Sequence, residues 1–443
     1  MIQEPVLSQT HHLPVALTPF VGREGETAQL IAQLGDPACR LVTIMGPGGA
    51  GKTRLALEVA QRLLPTNNHS SPFAMGVYFV PLGALASDEH LDGLLATAIA
   101  GAMGMPLSGP DAPVVQLCHY LREKAVLLVL DNFEHLQGGA SFVVTLLQAA
   151  GHVKILTTSR ERLNVRGEYV LLLNGLSYPA APDRPASLDE HSAVQLFVRT
   201  AQAVDPDFAP TDESLPAITR ICRLLDGLPL GIELAAPWTR LLSCAEIADE
   251  IERNLDFLAP APHDLPARQQ SLRAVFASSW SLLTAAEQQL LGRLAIFRGS
   301  FSREAAAAVA GASLPVLAAL VDKSLVRRLT TGSDGAARYE LSHVVRRYAA
   351  EQPAAGDATI SARHHAAYYL ALLYDLTTNL RGPRQQDALR VISFEIDEIR
   401  AAWRWAATAG DTMAITRAAD SLFHFYDMRS WFAEGAAAFG LAS

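Results

Sequence analysis

Hydrophobic residues in the first 180 positions form short continuous runs that alternate with stretches of helical spacing. Apolar, β-rich runs occupy residues 41–45, 76–82, 125–130, 153–158 and 168–172. Apolar side chains recur three and four residues apart, as in amphipathic helices, in residues 26–34, 53–64, 91–103, 114–123 and 141–150. Strands that alternate with helices predict an open α/β fold with a parallel sheet, whose ligand lies at the carboxyl ends of the strands.

The pattern changes after residue 177, where helical spacing predominates. Linkers rich in proline cover residues 178–187 and 259–266. Between residues 270 and 350, helices alternate with two β-like stretches, 324–329 and 338–341, which a glycine-containing turn at 331–335 joins. Helices followed by such a hairpin predict a winged-helix domain.

The chain is helical again from residue 358, with aromatic residues spaced along it. Residues 403–439 resemble a tetratricopeptide helix pair with Gly410-Asp411 as its turn. Such pairs bury their faces by stacking, and about three repeats are usual, so we expect the chain to be part of a longer protein. The predicted domains are a flexible arm (1–17), an α/β domain (18–177), a helical domain (188–260), a winged-helix domain (267–352) and a tetratricopeptide-like domain (358–443).

Composition narrows the class of protein. The 443 residues carry a net charge of −9 and are half hydrophobic, yet no apolar run reaches the ~20 residues that span a bilayer. The N-terminus lacks the basic start and apolar centre of a signal peptide. Four cysteines without C-x-x-C spacing argue against a metal site or a disulfide framework. We therefore expect a soluble cytoplasmic protein that is not a general nucleic-acid binder.

The strongest chemical signal is the sequence GPGGAGKT, directly after the apolar run 41–45. It matches the phosphate loop G-x-x-x-x-G-K-[ST], whose backbone N–H groups surround phosphate oxygens while the lysine reaches the β- and γ-phosphates and the hydroxyl reaches Mg²⁺. The alternative is an ordinary tight turn, but the strand before it and the helix after it favour a nucleotide site. The predicted contacts are Gly46, Pro47, Gly48, Gly49, Ala50, Gly51, Lys52, Thr53 and Arg54.

Carboxylates follow the apolar run 125–130. Asp131 stands at its tip, where a carboxylate beside a phosphate loop can hold Mg²⁺ together with Thr53. The alternative for Asp131 is a cap of the next turn. Glu134 is the nearest carboxylate that could orient or deprotonate water, and it could equally be a solvated surface charge.

An arginine follows the next strand along the chain. Arg160 ends the sequence TTSR after residues 153–158, so its guanidinium can reach a γ-phosphate and report whether it is present. The alternative is a surface arginine that pairs with Glu161. With Lys52, Asp131 and Glu134, Arg160 completes the predicted catalytic set.

Several motifs in their order along the chain carry a family resemblance. PFVGRE, GPGGAGKTRLALEVA, LLVLDNFEHL, ILTTSRERL, LDGLPLGIELAA and SLRAVFASSWSLL…LVDKSLV follow one another. Over residues 13–350 the chain resembles the signal-transduction ATPases with numerous domains (STAND proteins), closest to the bacterial regulators related to the NB-ARC switches. The resemblance implies an α/β P-loop NTPase domain followed by a helical domain, a winged-helix domain and the start of an α-helical repeat domain.

The resemblance also assigns further contacts to the nucleotide. It implies that Val21, Gly22 and Arg23 contact adenine or ribose, and that Pro229 packs on the adenine. Proline is flat, apolar and lacks an N–H, which suits that role, although Pro229 could simply begin a helix.

The winged-helix motif is where the chain departs from the pattern. Many relatives carry Met-His-Asp there, with the histidine on the β-phosphate of ADP. Here the triplet is Leu341-Ser342-His343, so the histidine is shifted by one position. His343 could contact the nucleotide or could be an ordinary core or surface histidine.

The resemblance implies a nucleotide switch with ATP or ADP and Mg²⁺ as cofactors. ADP would hold a closed monomer, exchange for ATP would open it for self-association, and slow hydrolysis would reset it. The C-terminal helices would bind an unknown protein or small-molecule inducer. One alternative is a DNA-binding transcriptional regulator, because residues 285–350 hold nine Lys/Arg against five acids, although mostly alanine and leucine helices make DNA binding unexpected. Another is a P-loop kinase, which would need an acceptor site and a lid.

Overall fold

A computed structural model of the chain describes residues 11–15, 18–64, 71–85, 90–179, 190–258, 271–329, 337–353 and 358–441. Contacts divide the chain into two compact units, residues 1–282 with 322–324, and residues 283–321 with 325–443. The predicted linkers 178–187 and 259–266 lie almost wholly outside the described residues, as does the turn 331–335.

A six-stranded parallel sheet forms the centre of the first unit. Its strands are β1 (His11–His12), β2 (Leu41–Met45), β3 (Val77–Pro81), β4 (Leu127–Asp131), β5 (Lys154–Ser159) and β6 (Glu168–Leu172). They lie in the order β1-β3-β4-β5-β2-β6, and every neighbouring pair is parallel. The predicted parallel α/β sheet is confirmed.

Ten helices belong to the described part of the first unit. Five pack around the sheet: α1 (Glu24–Gly35), α2 (Lys52–Arg62), α3 (Leu91–Ala102), α4 (Pro113–Leu121) and α5 (Ala140–Ala149). Five follow the sheet in sequence: α6 (Ser192–Val204), α7 (Leu215–Leu224), α8 (Pro229–Ala235), α9 (Cys244–Arg253) and α10 (Leu272–Trp280). Sequence analysis placed α10 in the winged-helix domain, whereas its contacts place it in the first unit.

The sheet is apolar on both faces, which explains the continuous apolar runs. All five residues of β2 are buried, as are the first four of β4. A parallel strand covered on both faces has no solvent side, so its sequence does not alternate. The polar exceptions inside it satisfy each other, since the hydroxyl oxygens of Thr43 and Thr157 lie 2.9 Å apart.

The prediction of a loose arm over residues 1–17 is wrong at His11–His12. These two residues pair in parallel with Val77 and Tyr78 at the edge of the sheet. Two residues are too few to show strand periodicity, and the pairing uses only backbone groups, so the sequence carries no sign of it.

The second unit combines a small antiparallel sheet with nine helices among the described residues. Strands β7 (Phe301–Ser302), β8 (Arg327–Leu329) and β9 (Arg338–Glu340) lie in the order β7-β9-β8. Helices α11 (Ala285–Leu294), α12 (Arg303–Ala310), α13 (Leu314–Asp322) and α14 (His343–Ala350) complete the winged helix. The C-terminal helices are α15 (Ala358–Asp375), α16 (Thr377–Leu380), α17 (Gln385–Ala409), α18 (Thr412–Met428) and α19 (Phe432–Gly440).

The predicted turn between the last long helices is confirmed. Gly410 ends α17 in the left-handed region at φ 71°, which favours glycine. Asp411 caps α18 by accepting a hydrogen bond of 3.1 Å from the backbone N–H of Ala414. Trp403 is fully buried, and its indole N–H donates to the Ala438 carbonyl at 2.8 Å.

The cysteines form no disulfide among the described residues. All four cysteines are free. No single described helix has the length and apolar character to cross a membrane, and only the pair α12 and α13, bent by 111°, passes that test jointly.

Candidate nucleotide-binding site

The phosphate loop connects β2 to α2 at the carboxyl edge of the sheet. Gly49 and Gly51 have φ values of 80° and 89°, where side chains other than glycine are strained. A Cβ on Gly46 would lie 2.3 Å from the Leu173 carbonyl oxygen, so only glycine fits beside β6. The loop therefore needs its glycines both to turn and to pack closely.

Lys52 is the first residue of α2 and folds back over the loop. Its ammonium donates hydrogen bonds of 2.8 Å and 2.9 Å to the carbonyl oxygens of Gly46 and Pro47. Burial lowers the pKa of Lys52 to about 8, an effect that Glu134 opposes and Arg160 reinforces. A buried cation at the start of a helix favours an incoming anion.

Asp131 lies at the tip of β4 as predicted and accepts two short hydrogen bonds. The hydroxyls of Thr53 and Thr158 each donate to its Oδ1 at 2.6 Å. Thr158 in turn accepts from the backbone N–H of Asn132 at 2.9 Å. A threonine hydroxyl beside a carboxylate is an oxygen donor set that fits Mg²⁺. The described residues contain no group of three or more His, Cys, Asp or Glu with metal-site geometry.

Glu134 and Arg160 form a buried ion pair in the same region as Thr53 and Asp131. Arg160 Nε lies 3.0 Å from Glu134 Oε1, and the two side chains are 12% and 6% exposed. The interpretation of either as a solvated surface residue is therefore wrong. Asn132, with φ 73°, turns the chain after β4 and brings Glu134 back to the tip of β5. The catalytic roles of both residues stay predictions.

One cavity of about 290 Å³ brings most of the predicted residues together. It is lined by Thr18, Pro19, Phe20, Val21, Arg23, Gly48, Gly49, Ala50, Gly51, Lys52, Thr53, Arg54, Asn132, Glu134, Thr158, Arg160, Leu176, Leu196, Pro229, Leu230, Glu233 and Val275. Gly46, Pro47 and Asp131 lie outside that lining, and Gly22 lines a second, polar hollow that Arg23 also borders.

Arg23 stabilises one side of the cavity. Its guanidinium donates to the Asn174 carbonyl at 2.5 Å and to the Ala50 carbonyl at 3.4 Å, and it pairs with Glu26 at 2.7 Å. These bonds connect the segment before α1 with the phosphate loop and with the segment after β6. Arg23 is thus a structural brace of the cavity as well as a predicted contact.

The helical segment after the sheet supplies the opposite wall. Pro229 is the first residue of α8, and its Cγ lies 3.7 Å from where a Cβ on Gly51 would stand. The backbone N–H of Leu230 donates to the Gly49 carbonyl at 3.3 Å. Pro229 therefore begins a helix and also faces the cavity, so the two interpretations of this residue are compatible.

Two family profiles match the chain. Residues 19–156 match the AAA ATPase domain family, and residues 283–354 match a winged helix-turn-helix domain. The first match contains the phosphate loop and Asp131, and the second contains β7 to β9 and α11 to α14.

Curated relatives cover most of the chain. The uncharacterized protein Rv0894 of Mycobacterium tuberculosis is 32% identical over 356 residues, which are 78% of this chain and 84% of that protein. The chain belongs to the same family as this protein, and its residues 19–156 match the AAA ATPase domain. The M. tuberculosis protein Rv0890c, named as an HTH-type transcriptional regulator, is 37% identical over 405 residues, 89% of this chain. The chain spans 43% of the length of that relative.

Solved structures of similar proteins include a STAND ATPase. This protein, PH0952 from Pyrococcus horikoshii, has a tetratricopeptide repeat sensor, is 16% identical, and is matched over 98% of this chain and 63% of its own, with a TM-score of 0.34. Cdc6p from Pyrobaculum aerophilum is 15% identical over 77% of this chain and 96% of its own, also with a TM-score of 0.34. TM-scores this low do not establish a shared fold.

His343 lies in the second unit of this family member. It is the first residue of α14, which Ser342 caps by accepting from the backbone N–H of Val345 at 3.2 Å. The cap explains why a serine precedes the histidine here. A role for His343 at the nucleotide stays a prediction.

Residues in or beside the cavity that the sequence did not assign to the site include Glu233, Val275 and Ser279. Glu233 lies one helical turn after Pro229 and lines the cavity. Val275 and Ser279 of α10 contact Arg160. The motif SLRAVFASSWSLL was visible in the sequence, but nothing in its spacing connects it to a strand tip more than 110 residues earlier.

Proposed function

We propose that the protein is an ATP- and ADP-binding switch ATPase of signal transduction. One observation carries the proposal: four charged side chains from separate elements converge beside one cavity at the phosphate loop. Lys52, Glu134 and Arg160 line the cavity, and Asp131 accepts a hydrogen bond from the hydroxyl of Thr53, which also lines it. Two cations and two carboxylates around a glycine-rich loop suit a polyphosphate with a bound Mg²⁺ ion.

Each group has a distinct role in this proposal. The loop N–H groups and Lys52 bind the phosphates, while Thr53 and Asp131 hold the magnesium ion, which neutralises phosphate charge when it is bound. Val21, Gly22 and Arg23 contact the base or ribose, and Pro229 packs against the adenine. Arg160 contacts the γ-phosphate.

Hydrolysis by this arrangement is slow. Glu134 is the carboxylate placed to orient water, yet it is buried and paired with Arg160 at 3.0 Å. A carboxylate oxygen that already accepts from a guanidinium is less available to orient a water molecule. Turnover then requires the pair to separate, which suits a switch better than a fast metabolic enzyme.

In the switch, ADP maintains a closed monomer and ATP exchange opens it for self-association in the cytoplasm. The C-terminal helices α15 to α19 are the proposed binding surface for a protein or small-molecule inducer. Support comes from the family and from the helix–turn–helix arrangement of α17 and α18. His343 is the proposed contact of the winged helix with ADP.

A second candidate function is DNA binding by the winged helix. The name of the relative Rv0890c and the match over residues 283–354 favour it. In three-helix variants of the helix-turn-helix, the third helix enters the major groove, and polar or basic side chains make the contacts with DNA. Here that helix is α13, with sequence LPVLAALVD and no lysine or arginine. We therefore rank the switch first; salt-dependent binding of duplex DNA by the full chain would reverse this order.

The nucleotide and the assembly state test the proposal together. Mass spectrometry of the purified protein should find ADP bound. Its mass in solution should be that of a monomer with ADP and should increase with ATP and Mg²⁺. A protein that binds neither nucleotide, or a mass that is the same with both, would contradict the switch.

A further inference from the structure

Arg160 is shared between the catalytic centre and α10. Its Nε–H donates to Glu134, while its NH1 donates to the hydroxyl of Ser279 and, at 3.3 Å, to the carbonyl oxygen of Val275. Val275 and Ser279 are four residues apart, so one face of α10 binds the guanidinium. The arginine predicted to sense the γ-phosphate is thus anchored from outside the sheet.

The hydroxyl of Ser279 is well suited to this anchor. It accepts from Arg160 and donates to the Val275 carbonyl at 3.2 Å, so its O–H bond is directed away from the guanidinium. Ser279 is 7% exposed, and a hydrogen bond to a charged group at such a site is stronger than one between neutral groups. Loss of this hydroxyl would leave the guanidinium with one fewer acceptor on α10.

Helix α10 also packs directly against the phosphate loop. A Cβ on Gly48 would lie 2.3 Å from Val275 Cγ1 and 3.7 Å from Arg160 NH2. Val275, Gly48 and Arg160 therefore meet at the phosphate end of the cavity. A γ-phosphate at this end of the cavity is a competing acceptor for the guanidinium that Val275 and Ser279 bind.

We propose that Ser279 is a positioning residue that anchors Arg160 to α10 and thereby sets the preference of the site for ADP over ATP. The inference rests on the proposed nucleotide site. ADP has no γ-phosphate, so it leaves the Arg160–Ser279 bond intact. ATP competes with that bond, and a ligand shifts a two-state equilibrium only by its differential affinity for the two states. Removal of the hydroxyl therefore favours ATP.

The variant Ser279→Ala tests this by calorimetric titration with ADP and with a non-hydrolysable ATP analogue. We expect the affinity for the ATP analogue to rise roughly tenfold relative to that for ADP, as loss of a hydrogen bond to a charged group implies. Ser279→Thr, which restores the hydroxyl, should return the ratio to that of the wild type. Ser281→Ala is the matched control, because Ser281 is exposed and donates to the Ser278 carbonyl.

A double-variant cycle separates anchoring from a general structural role. In an Arg160→Ala background, Ser279→Ala should leave the affinity ratio unchanged, because the bond it removes is already absent. Ser279→Cys is a second variant in case Ser279→Ala folds poorly. It nearly keeps the side-chain volume but offers only a weak acceptor, so it should shift the ratio of the two affinities in the same direction.

Several results would overturn the inference. An affinity ratio within twofold of the wild type in both Ser279→Ala and Ser279→Cys would show that α10 does not bias Arg160. Equal weakening of both nucleotides would show a structural role only. If the wild-type protein bound neither nucleotide, the proposed function itself would fail, and that result is distinct from an unchanged ratio in a protein that binds both.

Discussion

Both compact units bury charged side chains, but they arrange them differently. In the first unit Lys52 and Arg160 lie beside carboxylates around an open cavity, and their partners are groups that a phosphate can replace. In the second unit, Arg338 and Glu398 are enclosed by protein partners. Burial of charge alone therefore does not distinguish the candidate site from the second unit, whereas the cavity beside the charges does.

The second cluster joins the winged helix to the C-terminal helices within one unit. Glu398 of α17 accepts from the backbone N–H groups of Arg298 and Gly299 at 2.7 Å each, and its other oxygen lies 2.7 Å from His365 Nε2 of α15. Arg338 of β9 pairs with Glu395 of α17 at 2.5 Å. These bonds satisfy polar groups that burial would otherwise leave costly, so the cluster determines how two segments of the unit pack.

The largest expected effect comes from Lys52, in the cluster of charged side chains beside the cavity. Lys52→Ala should weaken ADP binding about 100-fold or more, because the charge-assisted bonds to phosphate are lost at a buried position. Isothermal titration measures it. Arg62→Ala is the control, since Arg62 ends the same helix and pairs with Glu58 at the surface. ADP affinity in Lys52→Ala equal to that of the wild type would remove Lys52 from the site.

Substitutions in the cluster around Glu398 should lower the stability of the fold and leave nucleotide binding unchanged. Glu398→Ala leaves two backbone N–H groups and His365 without their carboxylate, which should lower the free energy of unfolding by about 3 kcal/mol. Chemical denaturation measures the change. Asp397→Ala is the control, because Asp397 is the exposed neighbour on α17 and its contact with Arg400 is loose at 3.8 Å. Nucleotide affinity of the folded protein should stay unchanged; a loss below 1 kcal/mol would contradict the role of Glu398.

Sequence patterns predicted the phosphate loop and Asp131, but not the residues with which Arg160 pairs. The phosphate loop and Asp131 follow apolar strands, so local periodicity and a short motif suffice to place them. The pairing of Arg160 with Glu134 depends on the turn at Asn132, and its bonds to Ser279 and Val275 join residues 119 and 115 positions apart. Such contacts arise from packing of elements, which spacing along one chain does not encode.

The same limit applies to the second unit. The hairpin of β8 and β9 was predicted from its β-like stretches, whereas the two-residue strand β7 was not. Arg338 is one of the nine Lys/Arg counted in residues 285–350, and the structure buries it against Glu395 and Ser300. Net charge along a segment therefore overstated its positive surface.

The smallest expected effect is a pH dependence of ADP affinity. Burial lowers the pKa of Lys52 to about 8 in the ligand-free protein, and bound phosphate favours the protonated ammonium, so binding raises that pKa. Between the two pKa values, ADP binding takes up a proton and the affinity falls about tenfold per pH unit as pH rises. Titration calorimetry in two buffers of different ionisation enthalpy should therefore show uptake of about half a proton per ADP near pH 8. Arg62→Ala should show the same dependence of ADP affinity on pH as the wild type. An ADP affinity that does not change between pH 7 and pH 9.5 would show that Lys52 keeps its proton when no phosphate is bound.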